Sequence, residues 1–190
     1  MDDAFIIITK DRYLRIALIE MMKSYWGSRK ICIIDLCSCN SLKKLHGDIE
    51  GAGATDEHRI ILLGGQNVYS GMLGTLGVLD LKSSVGVIKN HIRYSRCIST
   101  KKLKKFIVSQ LQLTHLNSRQ IIVCTLYSRY NFDMKMIGKV MRVTEKTAYG
   151  IAACSVKLLN LKSLLHLAFF LTNEFNYEEI NDLFFSNVME

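Results

Sequence analysis

Apolar residues recur at spacings of three and four along the segment from Leu116 to Leu161. This spacing is typical of one face of an α-helix. It predicts three short helices: Arg119 to Arg129, Met134 to Met141, and a third that begins after Thr144. The residues predicted to face inward are Ile122, Val123 and Leu126 in the first helix, Met136, Ile137, Val140 and Met141 in the second, and Ala148, Ile151, Ala152, Ser155 and Leu159 in the third.

Polar residues before each pattern predict where the three helices begin. Asn117, Asp133 and Thr144 can each accept a hydrogen bond from the first turn of the helix that follows. Only Arg142 and Val143 separate the second helix from the third cap, so a tight turn is predicted there. Two short helices joined by about four residues are typical of a helix-turn-helix.

The first half of the chain alternates short apolar runs with amphipathic stretches, which predicts an α/β domain with a parallel sheet. The predicted strands are Ala4 to Thr9, Lys30 to Leu36, Arg59 to Leu63, Gly77 to Leu81 and Arg96 to Ser99. The predicted helices are Asp11 to Tyr25, Ser41 to Ile49 and Lys101 to Leu113; Ser84 to His91 is helical or extended, and Gly71 to Gly77 is glycine-rich. A hinge at Thr114-His115 divides the chain into predicted domains 1–113 and 114–190.

Two more helical patterns follow Leu161. Ser163 to Leu171 is apolar nearly all round, so more than one of its faces must be covered. The tail from Asn176 to Phe185 can cover one face, and a second subunit can cover another. An intramolecular core and a dimer contact are therefore both open alternatives for this helix.

Charge is spread unevenly along the 190 residues, whose net charge is +8. Residues 1–100 hold 13 Lys and Arg against 10 Asp and Glu, whereas residues 101–172 hold 12 against Asp133 and Glu145 alone. The last 18 residues hold five acids and no Lys or Arg. The basic surplus lies on the predicted helix-turn-helix and its approach, where it favours a phosphate polymer as partner. A solvated basic face without a partner is the alternative.

Composition and motifs favour a globular, cytoplasmic protein that is not an enzyme. Hydrophobic residues make up 49% of the chain, yet no apolar run approaches the about 20 residues that span a membrane. The start Met1-Asp2-Asp3 lacks the basic region of a secretory signal. Six cysteines without a Cys-x2-Cys pair are predicted to be free thiols, and the histidines and glycines match no metal or phosphate-loop spacing. We therefore expect no catalytic residues, no metal and no cofactor.

The helical segment resembles the C-terminal DNA-binding domain of the LuxR/FixJ (NarL-like) family of bacterial transcription regulators. The family opens on L-T-x-R-E, where this chain has Leu116-Asn117-Ser118-Arg119-Gln120. Its E-I-A-x-x-L, I-S-x-K-T-V and L-x-K-L-x-V motifs correspond to Met136 to Met141, Val143 to Ala148 and Val156 to Leu161. The resemblance implies double-stranded DNA as the partner. It also implies a homodimer, or a heterodimer with another regulator, formed through the helix predicted at Ser163 to Leu171.

The N-terminal half resembles the receiver (CheY/flavodoxin-like) domain that precedes this DNA-binding domain in response regulators. A receiver needs two acids after its first strand, an acceptor Asp after its third and a Lys after its fifth. This chain offers Lys10-Asp11, Gly64-Gly65, and Lys101 or Lys102 at these places, while Asp35 ends the second predicted strand. We therefore predict a degenerate receiver-like domain that aspartyl phosphorylation does not switch.

The residues predicted to contact DNA combine phosphate-binding cations with side chains of the third helix. They are Arg119, Lys135, Lys139, Arg142, Thr144, Lys146, Thr147, Tyr149, Gly150, Ala153 and Lys157. The family's Val-[Lys/Arg]-x-His run is Ala148-Tyr149-Gly150-Ile151 here, so the basic residue and the His are absent. Salt-dependent, weakly specific binding is expected. The alternative is a protein-interaction co-regulator that heterodimerises with or sequesters another regulator without reading bases itself.

Overall fold

The chain folds into two compact units, Met1–Val108 and Ser109–Glu190. A computed structural model describes residues 5–23, 30–94 and 98–188. The division between the units falls inside a helix, Thr100–Leu111, a few residues before the hinge predicted at residues 114–115.

Among the described residues, the N-terminal unit contains one sheet of five strands. These are β1 (Phe5–Ile8), β2 (Ile31–Asp35), β3 (Arg59–Gly64), β4 (Leu79–Asp80) and β5 (Ile98–Ser99). Strands β1 to β4 pair in that order and run parallel, which confirms the predicted parallel α/β arrangement. Strand β5 is the exception, because it pairs antiparallel with the first two residues of β3.

The order of the strands differs from that of a flavodoxin-like receiver. That order places the first strand between the second and the third. Here β2 lies between β1 and β3, and among the described strands β1 pairs with β2 alone. The carboxyl ends of β1 and β2 are therefore neighbours at the edge of the sheet, with Ile8 opposite Ile34.

Five helices lie in the described residues of the first part of the chain. They are α1 (Arg12–Lys23), α2 (Leu42–Gly51), α3 (Val68–Met72), α4 (Val85–Tyr94) and α5 (Thr100–Leu111), with a 3-10 turn at Leu73–Leu76. The glycine-rich pattern gave no indication of α3, because glycine lowers helix propensity. Its start is nevertheless marked by a cap, since the Asn67 side chain accepts a hydrogen bond of 2.6 Å from the Ser70 amide. The segment predicted as helical or extended is helical.

Isoleucine and leucine fill the core of the sheet. Leu18 and Met22 of α1, with Ile88 and Ile92 of α4, pack against buried side chains of β1, β2 and β3. Burial raises the pKa of the Cys32 thiol in β2 to about 12, so this cysteine stays protonated and acts as an apolar core residue.

The described part of the C-terminal unit beyond α5 is helical and contains no strand. It comprises α6 (Ser118–Ser128), α7 (Met134–Val140), α8 (Glu145–Leu158), α9 (Leu164–Glu174) and α10 (Tyr177–Val188). The predicted caps are confirmed: Asn117, Asp133 and Thr144 accept hydrogen bonds from the amides of Gln120, Met136 and Thr147. The Asn117 amide in turn donates to Gln120 Oε1 at 2.9 Å, which completes a capping box on α6.

The predicted inward face of α7 is partly wrong. Met136 and Val140 are 46% and 51% exposed, whereas Met134, Ile137 and Gly138 are buried. Spacings of three and four also fit this second set, so periodicity alone could not choose between them. The inward faces of α6 and α8 are confirmed, with Val123, Leu126, Ala148, Ala152, Ser155 and Leu159 buried and Ile122 and Ile151 half-buried.

The C-terminal tail packs mainly on α6 rather than serving only as a cover for α9. Phe184 of α10 joins the core cluster of α6, α7 and α8, and the Tyr130 hydroxyl donates to Asn181 Oδ1 at 3.0 Å. Leu165 and Phe169 of α9 remain 73% and 45% exposed. No helix among the described residues is both long enough and apolar enough to cross a lipid bilayer.

Candidate nucleic-acid interface

A tight turn joins α7 to α8. The Val143 amide donates to the Gly138 carbonyl at 2.9 Å, and the Arg142 amide donates to the Lys139 carbonyl at 3.2 Å. This pair of bonds is the Schellman motif, which ends a helix on a residue in the left-handed region. Arg142 has φ of 55° and occupies that position. The next helix starts three residues later, at Glu145, so the motif sets the direction in which α8 leaves the turn.

Gly138 allows α7 to approach this turn closely. A Cβ at Gly138 would lie 2.9 Å from the Val143 carbonyl oxygen and 3.3 Å from the Glu145 amide nitrogen. Both neighbours are backbone atoms, which give way less easily than a flexible side chain. The glycine therefore permits the contact between α7 and the first residue of α8, while Ile137 and Ala148 meet in the core beneath it.

Helix α8 has one buried face and one exposed face. Ala148, Ala152 and Ser155 are buried, and the Ser155 hydroxyl is satisfied by the Ile151 carbonyl at 3.0 Å. The opposite face is exposed along its length. Its residues are spaced three and four apart, as on one side of a helix: Lys146, Tyr149, Gly150, Ala153 and Lys157. The small inward residues let α8 lie close to its neighbours while its outer surface stays open.

All eleven residues predicted to contact DNA are exposed. Six of them carry a positive charge: Arg119, Lys135, Lys139, Arg142, Lys146 and Lys157. Within the described parts of the chain, none of these six forms an ion pair with Asp or Glu. Lys139, Arg142 and Lys146 follow one another across the last turn of α7, the connecting turn and the first turn of α8. The turn therefore carries cations on both sides.

Two further basic residues of this unit lie outside the predicted set. Lys162, just beyond the end of α8, is exposed and also belongs to the basic segment of the sequence. Arg129 is half-buried instead, and its guanidinium lies 5.0 Å from the centre of the Tyr177 ring. This stacking ties the end of α6 to α10, which sequence spacing alone does not indicate.

The two acids of the basic segment have different surroundings. The Asp133 carboxylate is used as a helix cap and accepts from the Met136 amide at 2.7 Å. Glu145 is exposed in the first turn of α8, between Thr144 and Lys146. A carboxylate there stabilises the start of α8 through the helix dipole, but it repels a phosphate brought to the same place.

Groups suited to reading base edges are few on the exposed face of α8. Tyr149 is 50% exposed and offers one hydroxyl. The Thr147 hydroxyl lies 2.8 Å from the Thr144 hydroxyl, so it is shared with the cap. A Cβ at Gly150 would meet nothing within 4 Å, so this position is open to solvent. The exposed face of α8 therefore offers more groups for phosphate contacts than for contacts with base edges.

The positions that resemble a receiver's phosphorylation site have other uses here. Asp11 caps α1, accepting from the amides of Tyr13 at 2.8 Å and Leu14 at 3.0 Å. At the end of β3, a Cβ on Gly64 would lie 2.5 Å from both Ser70 Oγ and Val78 Cγ1. The place of an acceptor side chain is thus closed by packing. Among the described residues, no three His, Cys, Asp or Glu lie together as metal ligands.

No protein-family model matches the chain, and neither does any curated protein. Among solved structures, the chain is similar to the RcsB response regulator of Salmonella typhimurium, a structure described in terms of conformational dynamism for DNA interaction. The TM-score is 0.34 at 12% sequence identity, over 88% of this chain and 98% of that one. At this level the likeness assigns neither a family nor a function.

Proposed function

We propose that the chain is a bacterial, cytoplasmic transcription regulator of the LuxR/FixJ type. On this proposal α7 and α8 form a helix-turn-helix, and α8 enters the major groove of double-stranded DNA. The supporting observation is the contrast between the two faces of α8. The inner face is buried in a small-residue core, while the outer face and the turn before it present cations that form no ion pair with described acids.

The conformation of Arg142 also supports a role in binding. A left-handed backbone costs an ordinary residue about 1 kcal/mol or more, and glycine or asparagine occupies such helix ends more readily. Asn131 and Asn160 hold the left-handed positions that follow α6 and α8, and the buried Leu113 holds the one that follows α5. At the turn between α7 and α8 the chain instead has an exposed arginine, which suits a phosphate contact.

The proposal includes no catalytic activity and no control by aspartyl phosphorylation. Gly64 stands where an acceptor Asp is needed, and Ser70 and Val78 leave no room for a longer side chain there. Asp11 is the one carboxylate after β1 and is used as a cap.

A homodimer, or a heterodimer with another regulator, would use the exposed Leu165 and Phe169 of α9.

The second candidate is a co-regulator that binds another regulator and does not read bases. Exposed residues of low polarity favour this candidate: Tyr149, Ala153 and Cys154 on α8, and Leu165 on α9. Such residues suit a protein partner better than a base edge.

A DNA titration over a range of salt concentrations separates the two candidates. We expect the logarithm of the binding constant to fall with log[salt] with a slope of about −5, since each of the six predicted phosphate contacts contributes about −0.9. Lys146→Ala and Lys157→Ala should each weaken binding to all sequences and reduce the slope by about 1. The matched control is Lys82→Ala, an exposed lysine of the N-terminal unit outside the predicted set. A flat salt slope for the full chain contradicts the proposal and favours the co-regulator.

A further inference from the structure

A cavity in the N-terminal unit lies beside the carboxyl ends of β1 and β2. Its volume is about 410 Å³. Small-molecule sites in proteins span about 300–1,000 Å³, and in open α/β sheets they gather at the carboxyl ends of parallel strands. The wall is formed by the end of β1, the segment that follows β2, and one side of α2.

The cavity combines an apolar interior with a cationic rim. Ile7, Ile8 and Leu45 supply apolar surface. Lys10, Arg15 and Lys44 line the same cavity, and within the described residues none of them forms an ion pair with an acid. Arg15 is held in place by a bond of 3.1 Å from its guanidinium to the Ile7 carbonyl.

Asp35 also lines the cavity, but its carboxylate is already engaged. It is buried, and it accepts from the Thr9 hydroxyl at 2.8 Å, from the Cys37 amide at 2.9 Å and from the Ser38 hydroxyl. These bonds hold the ends of β1 and β2 together beneath the cavity. The acid that remains open on the wall is Asp48 of α2, against three cations.

The side of α2 that lines the cavity contains two glycines. Gly47 and Gly51 lie one helical turn apart, and a Cβ on either would meet nothing within 4 Å. Gly47 lies in the interior of α2, where glycine costs about 1 kcal/mol relative to alanine, so neither packing nor helix stability accounts for this residue. Their missing side chains leave the cavity open along α2.

We propose that this cavity binds a small organic anion, with its carboxylate, phosphate or sulfonate group at Lys10, Arg15 and Lys44 and its apolar part against Ile7, Ile8 and Leu45. The site is independent of the DNA-binding proposal, because all of its residues belong to the N-terminal unit. It also differs from a phosphorylation site, because the anion is bound and not transferred.

Two fluorescent probes of similar shape test the proposal on the full chain. One is 8-anilinonaphthalene-1-sulfonate, which carries an anionic group, and the other is N-phenyl-1-naphthylamine, which is neutral. We expect the anionic probe to bind with the higher affinity. Lys10→Ala and Lys44→Ala should each lower the affinity for the anionic probe by about two- to fivefold, the size expected for an exposed ion pair. Neither substitution should change the affinity for the neutral probe.

Gly47→Leu tests the space in the cavity. Its side chain should fill the site and lower the affinity for both probes by tenfold or more. The variant should fold, since leucine has a higher helix propensity than glycine and its Cβ meets no neighbour. Gly86→Leu on α4 and Lys43→Ala on α2 are matched controls, because neither residue lines the cavity. The proposal is overturned if neither probe binds, if Gly47→Leu leaves both affinities unchanged, or if Lys43→Ala lowers the affinity of the anionic probe as much as Lys44→Ala does.

Discussion

At the scale of single residues, two glycines of the C-terminal unit have opposite surroundings. Gly138 in α7 is buried against the backbone of the following turn, where an added Cβ would lie 2.9 Å from the Val143 carbonyl oxygen. Gly150 in α8 is exposed, and an added Cβ would meet nothing within 4 Å. Packing therefore requires a glycine at position 138 of α7 but not at position 150 of α8.

Alanine substitution should separate these two roles. We expect Gly138→Ala to lower the free energy of unfolding by about 1–3 kcal/mol, because the contact with the turn must open. Gly150→Ala should raise it by up to about 1 kcal/mol through helix propensity. Urea unfolding of the full chain, followed by circular dichroism at a helical wavelength, measures both. Equal effects of the two substitutions would show that the close approach of α7 to the turn is not a constraint.

At the scale of helices, α10 is a structural part of the C-terminal unit. The sequence predicted that this tail covers one face of the Ser163 to Leu171 helix, but Phe184 packs against the core formed by α6, α7 and α8. The Phe184 ring centre is 6.2 Å from that of Tyr130, and Arg129 stacks on Tyr177. Helix α10 therefore covers one face of α6 within the same chain. Leu165 of α9, in contrast, stays exposed.

Adjacent phenylalanines of α10 provide a matched test of this packing. Phe184→Ala should lower the unfolding free energy by about 2–3 kcal/mol, below the value for a fully buried phenylalanine because Phe184 is half-buried. Phe185 is 57% exposed, so Phe185→Ala should lower the unfolding free energy by less than about 1 kcal/mol. The measurement is the shift of the thermal unfolding midpoint. A larger loss at Phe185 than at Phe184 would contradict the packing of α10 on α6.

At the scale of the whole molecule, the chain combines an α/β unit with a basic helical unit, and the sites proposed on them are chemically different. The α/β unit has a sheet with the strand order β1-β2-β3-β4 and a cavity beside the ends of β1 and β2. The end of β3, where a receiver carries its acceptor, is closed over Gly64 by Ser70 and Val78. The proposed anion site therefore lies beside β1 and β2, whereas the end of β3 has no open place for an acceptor side chain.

Incubation with acetyl phosphate and Mg²⁺ tests the whole chain for aspartyl phosphorylation. We expect the intact mass to remain unchanged, because Asp35 is buried and hydrogen-bonded and Asp11 is a helix cap. A genuine response regulator treated in parallel serves as the positive control. A mass increase of one phosphoryl group on this chain, lost in Asp35→Asn, would refute the degenerate-receiver interpretation.

Several features of the molecule could be read from local sequence alone. The caps Asn117, Asp133 and Thr144 and the helices they start are where the polar residues and the apolar spacing predicted them. The parallel α/β pattern of the first half and the exposure of the cations near Thr144 were also predictable. These features depend on residues within a few positions of one another, which is the range over which periodicity and capping act.

Other features were decided only by contacts between residues far apart in the chain. Met134 rather than Met136 faces the core because Gly138 packs against the turn, and two sets of α7 residues had fitted the same spacing. The place of β2 between β1 and β3 depends on which strands pair, and the cavity beside Asp35 is lined by segments that are distant in sequence. Local periodicity determines which segments are helices and strands, whereas long-range packing determines which faces meet and what space they leave between them.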